Sequence, residues 1–503
     1  MDETSPPIAP PQAPPNDLKP LRFALDKIEY ARLLAELTQA NSTARGQLVR
    51  DCFYDTHNFA LARHRFALRI RQIARKRSLA LFHHDFIKEE VALTGPSPEL
   101  ALLGPDWLAT LSSITQGAPL KPQAQTKTTR TTHAFDGATL LFETGFLNPD
   151  AQKLAFFEVE ISAPTPRLPE TALAIADRVK LRFQPESIST RAIRLAGGPA
   201  PGLCKAAAGL KGDPCLDDAI FHLIRTCLTQ FQVNWPVFYE GDRIGAIHQM
   251  RVAMRRLRSA LGLFNRVLPA AGFLTLRDEA KRIANVMGEA RNWDVFTIAL
   301  QTGPIRAFAN EVGFVDLEAQ CEAYRQAGYV EIEALLKHPQ TTRFLLNAEA
   351  LLAQRGWRAT LPSEALPRLA EPARIAATQG LERMHRKLRK HGKKLVRLSV
   401  EERHLVRIEL KKIRYMADFF GGLFKPEGRV RQFNRAAAQL QEELGMMNDM
   451  ATAMRLIARL HASSAETERA LGIILGWTAH SALGTPRSLK TAWKSFLDAK
   501  LFT

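Results

Sequence analysis

His248 to Phe264, HQMRVAMRRLRSALGLF, sets the reading of the C-terminal half of this chain, because its grammar returns at His404 to Phe420 as HLVRIELKKIRYMADFF, 156 residues on. The two stretches reduce to HxxRxxxRRxR and HxxRxxxKKxR. At about 100° per residue, a helix gathers His248, Arg251, Arg255 and Arg258 within an arc of roughly 80°. Met250, Met254, Leu257, Leu261 and Phe264 share another face. In the second copy His404, Arg407, Lys411 and Arg414 form the basic arc, and Val406, Leu410, Ile413, Ala417 and Phe420 the apolar one. A single basic helix face is commonly just solvated. Two matched rows call for more, because like charges at i,i+4 repel and core packing has no use for them. The pattern predicts a polyanion lying against both. The histidines add to this, since a merely solvated cationic face is built from Lys and Arg, and imidazolium is favoured beside phosphate.

Two further stretches pair in the same way: MGEARNWDV at 287–295 and LGMMND at 444–449, with Gly288 matching Gly445 and Arg291 matching Asn448. With the two His-and-base helices, they make the chain from about Leu216 to its C-terminus resemble a CHAD domain, the conserved-histidine α-helical domain. The resemblance implies a pseudo-twofold all-α bundle whose basic residues line a central channel and bind inorganic polyphosphate. Carried onto this sequence, it implies polyphosphate contacts from His248, Arg251, Arg255, Arg256, Arg258, Lys281 and Arg291 in a first repeat at about 216–303. In a second repeat, at about 371–461, it implies contacts from Arg386, Arg389, Lys393, His404, Arg407, Lys411, Lys412 and Arg414.

Composition agrees with an anionic partner. The chain has 503 residues, enough for two or three domains, and its 46% hydrophobic share supports real cores. A net charge of +18 points to nucleic acid, an anionic membrane or a phosphate polymer without choosing among them. The five cysteines are an odd number without CxxC or ligand clustering, so reduced thiols are expected. With no membrane span or signal sequence in view, a cytoplasmic protein is expected, with polyphosphate granules as one place its partner would take it.

Residues 1–20 are Pro-rich and poor in large apolar side chains, which predicts a disordered tail. From Leu21 to Gly198 short β-like runs follow, LRFAL, FALRIRQI, RSLALF, TKTTRTTHAF, ATLLFETGF and LAFFEVEIS, with helical segments at KIEYARLLAELT and ETALAIADRVKLRF. Alternation of Phe66, Leu68 and Ile70 with Arg69 and Arg71 puts both arginines on one strand face. YDTHNFALARHRFALRIRQ, Tyr54 to Gln72, and PESISTRAIRL, Pro185 to Leu195, resemble CYTH domains, the triphosphate-tunnel family. The implied fold is an antiparallel β-barrel or tunnel. CYTH followed by CHAD is a familiar tandem, so the expectation is a multidomain α+β chain.

The departures from that family matter more than the match. Active members open with ExExK, whose glutamates hold Mg²⁺, and this chain has Leu18, Pro20 and Arg22 there. His83 and Ile188 stand where two further lysines are expected. Hard divalent cations need several oxygen ligands, and phosphoryl transfer without a metal loses its main charge neutralisation. Arg69, Arg71, Arg130 and Arg191 remain as candidates for a secondary phosphate site, and Glu158 and Glu160 as candidates for one Mg²⁺ or Mn²⁺ ion, or for pairing with those arginines. No residue is assigned a catalytic role, and no cofactor is required for binding.

Residues 199–215, PAPGLCKAAAGLKGDPC, have the composition of a linker. Beyond it helices are expected near Leu216–Tyr239, through His248, at Thr275–Ala290 after a GFL turn, and briefly from Trp293. Residues 304–370 show less regular helical character. The second repeat restarts near Glu371, and Ser399 with Glu402 fits a capping box ahead of the His404 helix. Two closing helices follow, the last carrying Lys490, Lys494 and Lys500 towards water. The competing function classes are a metal-dependent triphosphatase or polyphosphatase working through the N-terminal domain, a nucleic-acid binder and a membrane-surface protein. For the last two the chain offers no base-reading module and no aromatic-edged amphipathic helix.

Overall fold

A computed structural model describes residues 20–40, 46–148, 154–207, 209–308, 310–483 and 486–503. The expected tail, Leu18 and the Asn448 side chain lie outside the described residues. The chain divides into two compact units between Pro199 and Ala200.

The first unit is built on nine strands, β1 (Leu21–Ala24), β2 (Gln47–Asp55), β3 (Phe66–Ile73), β4 (Lys76–His83), β5 (Phe86–Leu93), β6 (Lys121–Phe135), β7 (Ala138–Leu147), β8 (Leu154–Ser162) and β9 (Arg182–Phe183). Between and after them run α1 (Lys27–Ala40), α2 (Ala60–Arg63), α3 (Pro105–Thr115), α4 (Arg167–Ala176) and α5 (Ile188–Leu195). The strands form one antiparallel sheet in the order β5-β4-β3-β2-β6-β7-β8-β1-β9. Strands β5 and β9 are its two edges, so the expected antiparallel barrel or tunnel is present as a sheet that is not closed. Strands β2, β5 and β9 were not foreseen. Glu89 and Glu90 interrupt the apolar run of β5, and β9 has only two residues.

Register decides what shares a face. Arg22 stands opposite Glu160, Glu158 opposite Glu143, and Glu143 opposite Arg130. Farther along, Thr126 faces Asp51 and Asp51 faces Arg71. With a side-chain period of two, these pairings put every charge of the set on one face.

The second unit is helical: α6 (Leu216–Glu240), α7 (Arg243–Val267), α8 (Ala271–Thr302), α9 (Pro304–Ala307), α10 (Val312–Lys337), α11 (Pro339–Ala353), α12 (Ala373–His391), α13 (Val400–Phe420), α14 (Glu427–Ile457), α15 (Ala465–Leu483) and α16 (Pro486–Asp498). Helices α6–α7–α8 and α12–α13–α14 repeat one another. Equivalents meet equivalents, α6 on α12, α7 on α13 and α8 on α14, as a pseudo-twofold axis requires. Asp242 caps α7 by accepting from the Gly245 amide at 2.8 Å. The capping box expected at Ser399 and Glu402 starts α13.

Three expectations for this unit are corrected. Helix α8 runs unbroken through the predicted GFL turn and past Ala290, because no residue between Ala290 and Trp293 breaks a helix. Residues 304–370 hold two long regular helices, α10 and α11. Phe314, Leu317 and Cys321 of α10 share a core with Trp293, Phe296, Leu300 and Ile474. The stretch read as a linker lies on the helical unit as a strap. Leu210 donates to the Phe419 carbonyl at 2.8 Å, Cys204 donates to Asn234 Oδ1 at 3.0 Å, and Ala373 donates to the Pro214 carbonyl at 2.9 Å. Gly209 allows this approach, since a Cβ there would sit 2.2 Å from the Asp418 carbonyl oxygen.

Candidate anion-binding site

Helices α7 and α13 pack side by side, and their apolar faces are buried: Met250, Met254, Leu257 and Leu261 in one, Val406, Leu410, Ile413 and Ala417 in the other. Burying those faces fixes where the basic arcs point. Arg251 and Arg255 of α7, Arg407 and Lys411 of α13 and Arg291 of α8 come close enough to act on one another. Desolvation, then Arg255, Arg407 and Arg251, push the Lys411 amine down to about 6. Desolvation and Arg255 hold Arg251 down to about 10. The Nε atoms of Arg251 and Arg407, matched across the repeat, are buried without a hydrogen-bond partner. Asp449 lies 3.6 Å from Arg407 and favours its charge. Such crowding of cations destabilises the unliganded protein and is relieved by an anion.

Other predicted contacts sit at the margins of this cluster or away from it. His248 is exposed, and its pKa is lowered first by desolvation and then by Arg291, Arg251 and Arg255. Arg258 is lowered by desolvation, Arg255 and Arg277, with Asp278 opposing. His404 is exposed, while Arg414 acts on Asp418. Lys281, Arg386, Arg389 and Lys393 each stand exposed, and no ion pair or hydrogen bond among the described residues ties them to the cluster. Lys412 turns the other way and donates to Glu409 at 3.2 Å. Arg256 is corrected outright. It is 6% exposed, stacks over Phe419 at 4.6 Å and lies on the far side of α7 from Arg251. The adjacent bases of RRxR differ by about 100° in direction, so Arg256 leaves the face that Arg255 takes. Tyr415 acts on both Arg251 and Arg407 and was missed, because a tyrosine beside the basic arc carries no charge pattern to betray it.

In the sheet unit the charged face is balanced internally. Arg22 reaches Glu143 at 2.7 Å and Glu158 at 3.3 Å, and it also meets Glu160. Arg130 pairs with Glu143 at 2.6 Å, Arg191 with Glu158 at 2.7 Å, and Arg71 with Asp51 at 2.8 Å. Arg69 lies 3.3 Å from Glu90 and is held down to about 10 by desolvation and by Arg71. Five guanidinium groups thus face Asp51, Glu90, Glu143, Glu158 and Glu160. Glu143 stays below the usual carboxylate range because Arg22 and Arg130 outweigh its desolvation. Among the described residues no group of three or more His, Cys, Asp or Glu side chains is placed to hold a metal ion. The divalent ion of the active CYTH pattern does not fit here: Pro20 supplies no ligand, and the carboxylates that remain are taken by arginine. Asp51 and Glu143 were missed by the sequence reading, although their alternation with apolar neighbours in β2 and β7 was there to find.

Comparison with known proteins agrees with this division. Residues 21–193 match the CYTH domain model and residues 222–458 the CHAD domain model. The chain is a tandem of the two: an N-terminal CYTH domain lacking the family's opening carboxylates, followed by a CHAD domain. The crystal structure of the CHAD domain from the plant Ricinus communis is 29% identical, with a TM-score of 0.50, over 59% of this chain and 96% of that one. PptA from Streptomyces chartreusis is 16% identical, with a TM-score of 0.42, over 56% of this chain and 99% of that one. HpAC1 from Hippeastrum, described as having a dominant triphosphatase activity, is 15% identical with a TM-score of 0.26, over 36% of this chain and 97% of that one. A search of curated proteins gives no match. No helix among the described residues is long and apolar enough to cross a membrane.

Proposed function

We propose that the CHAD domain binds inorganic polyphosphate between α7 and α13, and that the CYTH domain does not turn phosphate over. The observation that carries the reading is the convergence of Arg251, Arg255, Arg291, Arg407 and Lys411, where desolvation first and then the neighbouring arginines push the Lys411 amine down to about 6. A flexible chain with roughly one negative charge per unit relieves all five without needing a base to read. Arginine forks suit its oxygens and remain charged. A duplicated, pseudo-symmetric site suits a polymer without direction, and a cytoplasmic place beside polyphosphate granules follows from that partner. The sheet unit supports the second part, since each candidate metal-binding carboxylate already neutralises an arginine. Its arginines Arg69, Arg71, Arg130 and Arg191 hold a phosphate oligomer only by giving up those carboxylates.

The deciding experiment is direct binding of long-chain polyphosphate to the full chain, with tRNA and duplex DNA as competitors. The reading requires saturable binding that R255A/K411A abolishes. Equal displacement by DNA at matched phosphate would replace it with non-specific polyanion binding.

A further inference from the structure

The strap at 200–215 and the C-terminal end of α13 border an open cavity of about 390 Å³. Ala207 and Gly209 line it from the strap, Arg256 from α7, Asp418 and Gly422 from the end of α13 and the turn after it, and Asn434 from α14. None of Arg251, Arg255, Arg407 or Lys411 lines it, so it is separate from the cation cluster.

Two features of its wall are unexplained by the fold. Arg256 is 6% exposed and enters no ion pair among the described residues. Its contacts are the Phe419 ring at 4.6 Å and the Cys227 thiol, and its Nε has no partner. A guanidinium so far removed from water ordinarily has a carboxylate or another anion against it. In the same lining Asn434 has a buried Oδ1 with no donor. The cavity therefore offers a buried guanidinium without an ion pair and an acceptor without a donor together. A sulfate or a carboxylate satisfies the first and leaves the second. Monohydrogen or dihydrogen phosphate satisfies both, with P–O⁻ oxygens for the arginine fork and a P–OH proton for Asn434. Asp418 shares this lining, and desolvation raises its carboxyl against the pull of Arg414 and Arg256.

We infer that this cavity is a binding site for a single protonated phosphate group, supplied as free orthophosphate or as the end of a phosphate ester, and distinct from the polyphosphate cluster. Because Gly209 and Ala207 form part of the wall, the bound group also fastens the strap to α13.

The test is calorimetric titration of the full chain with sodium phosphate and, separately, sodium sulfate. One saturable phosphate site per chain is expected, with phosphate favoured over sulfate by about tenfold, the cost of leaving a buried acceptor unmet. R256M should weaken phosphate by at least about tenfold, and N434L should bring phosphate down to the sulfate level. R255A/K411A should leave both titrations unchanged. Loss of orthophosphate binding in R255A/K411A would put the ion in the cluster and overturn the inference. So would absence of saturable binding up to about 10 mM phosphate. Should R256M fail to fold, N434L decides alone: an unaltered phosphate-to-sulfate ratio refutes the site. R256M-sensitive orthophosphate binding in a chain that does not bind polyphosphate would uphold this site while removing the function proposed above.

Discussion

Arg22 donates to Glu143 Oε2 at 2.7 Å, and Glu143 has no exposed surface. The same guanidinium touches Glu158 and Glu160, so three carboxylates from two neighbouring strands close on one side chain. It stands as a tethered cation among acids that would otherwise repel one another. R22M should therefore destabilise the CYTH domain by about 3–5 kcal/mol, because it strands buried charge rather than merely deleting a contact. Urea unfolding of wild type and R22M checks this, and a change below about 1 kcal/mol would mean that the network is not held by Arg22.

With these carboxylates occupied, tripolyphosphate incubated with Mg²⁺ or Mn²⁺ should release phosphate no faster with protein than without it. A measurable rate abolished by E158A would show that the CYTH domain is an enzyme after all.

Polyphosphate affinity should fall as pH rises. Bound phosphate raises the Lys411 pKa from its unliganded value of about 6, so above that pH binding takes up a proton, and affinity falls by up to about tenfold per unit. The unliganded protein runs the opposite way. The unfolded amine stays protonated up to 10.5 while the folded one does not, so stability rises with pH above about 6. Titrations from about pH 5.5 to 8.5 on wild type and K411M separate the contribution of Lys411 from that of His248, and a wild-type profile without slope would remove both from the site.

Salt dependence counts the contacts. If each cation displaces a counterion from a single-stranded polymer, log K against log salt should have a slope steeper than about −3, and R255A/K411A should reduce it by about 1.4. An unchanged slope in that variant would place the polymer elsewhere.

The strap gives a prediction independent of any ligand. In G209A the added methyl would meet the Asp418 carbonyl at 2.2 Å and the Phe419 carbonyl at 2.6 Å, which must displace the Leu210 bond to Phe419. Limited proteolysis should then cut within 200–212 at least about tenfold faster than in wild type.

What could be read in the sequence was whatever had a period or a repeat. The His248 and His404 helices, their apolar faces and the Ser399 cap follow from spacing alone, as does the shared face of Arg69 and Arg71. What escaped was set by partners distant in the chain. Nothing near Arg256 says that Phe419 will cover it, and the small residues at 199–215 carry no sign of the carbonyls they approach. The barrel or tunnel was expected from the CYTH resemblance. Closure depends on a pairing between edges, and β9 is too short and β5 too charged to announce one.

Phe433 is fully buried, with its ring 5.5 Å from that of Phe496 and 5.4 Å from that of Phe502. The CHAD pattern itself stops at residue 458. A fragment trimmed to that boundary would leave Phe433 and its neighbours on α14 facing solvent, and would withdraw Trp493 from the backbone at Gly392, where a Cβ would lie 2.2 Å from the ring. For this chain the helical domain extends past residue 458 at least as far as Phe502, and any shortened version ending before it should aggregate.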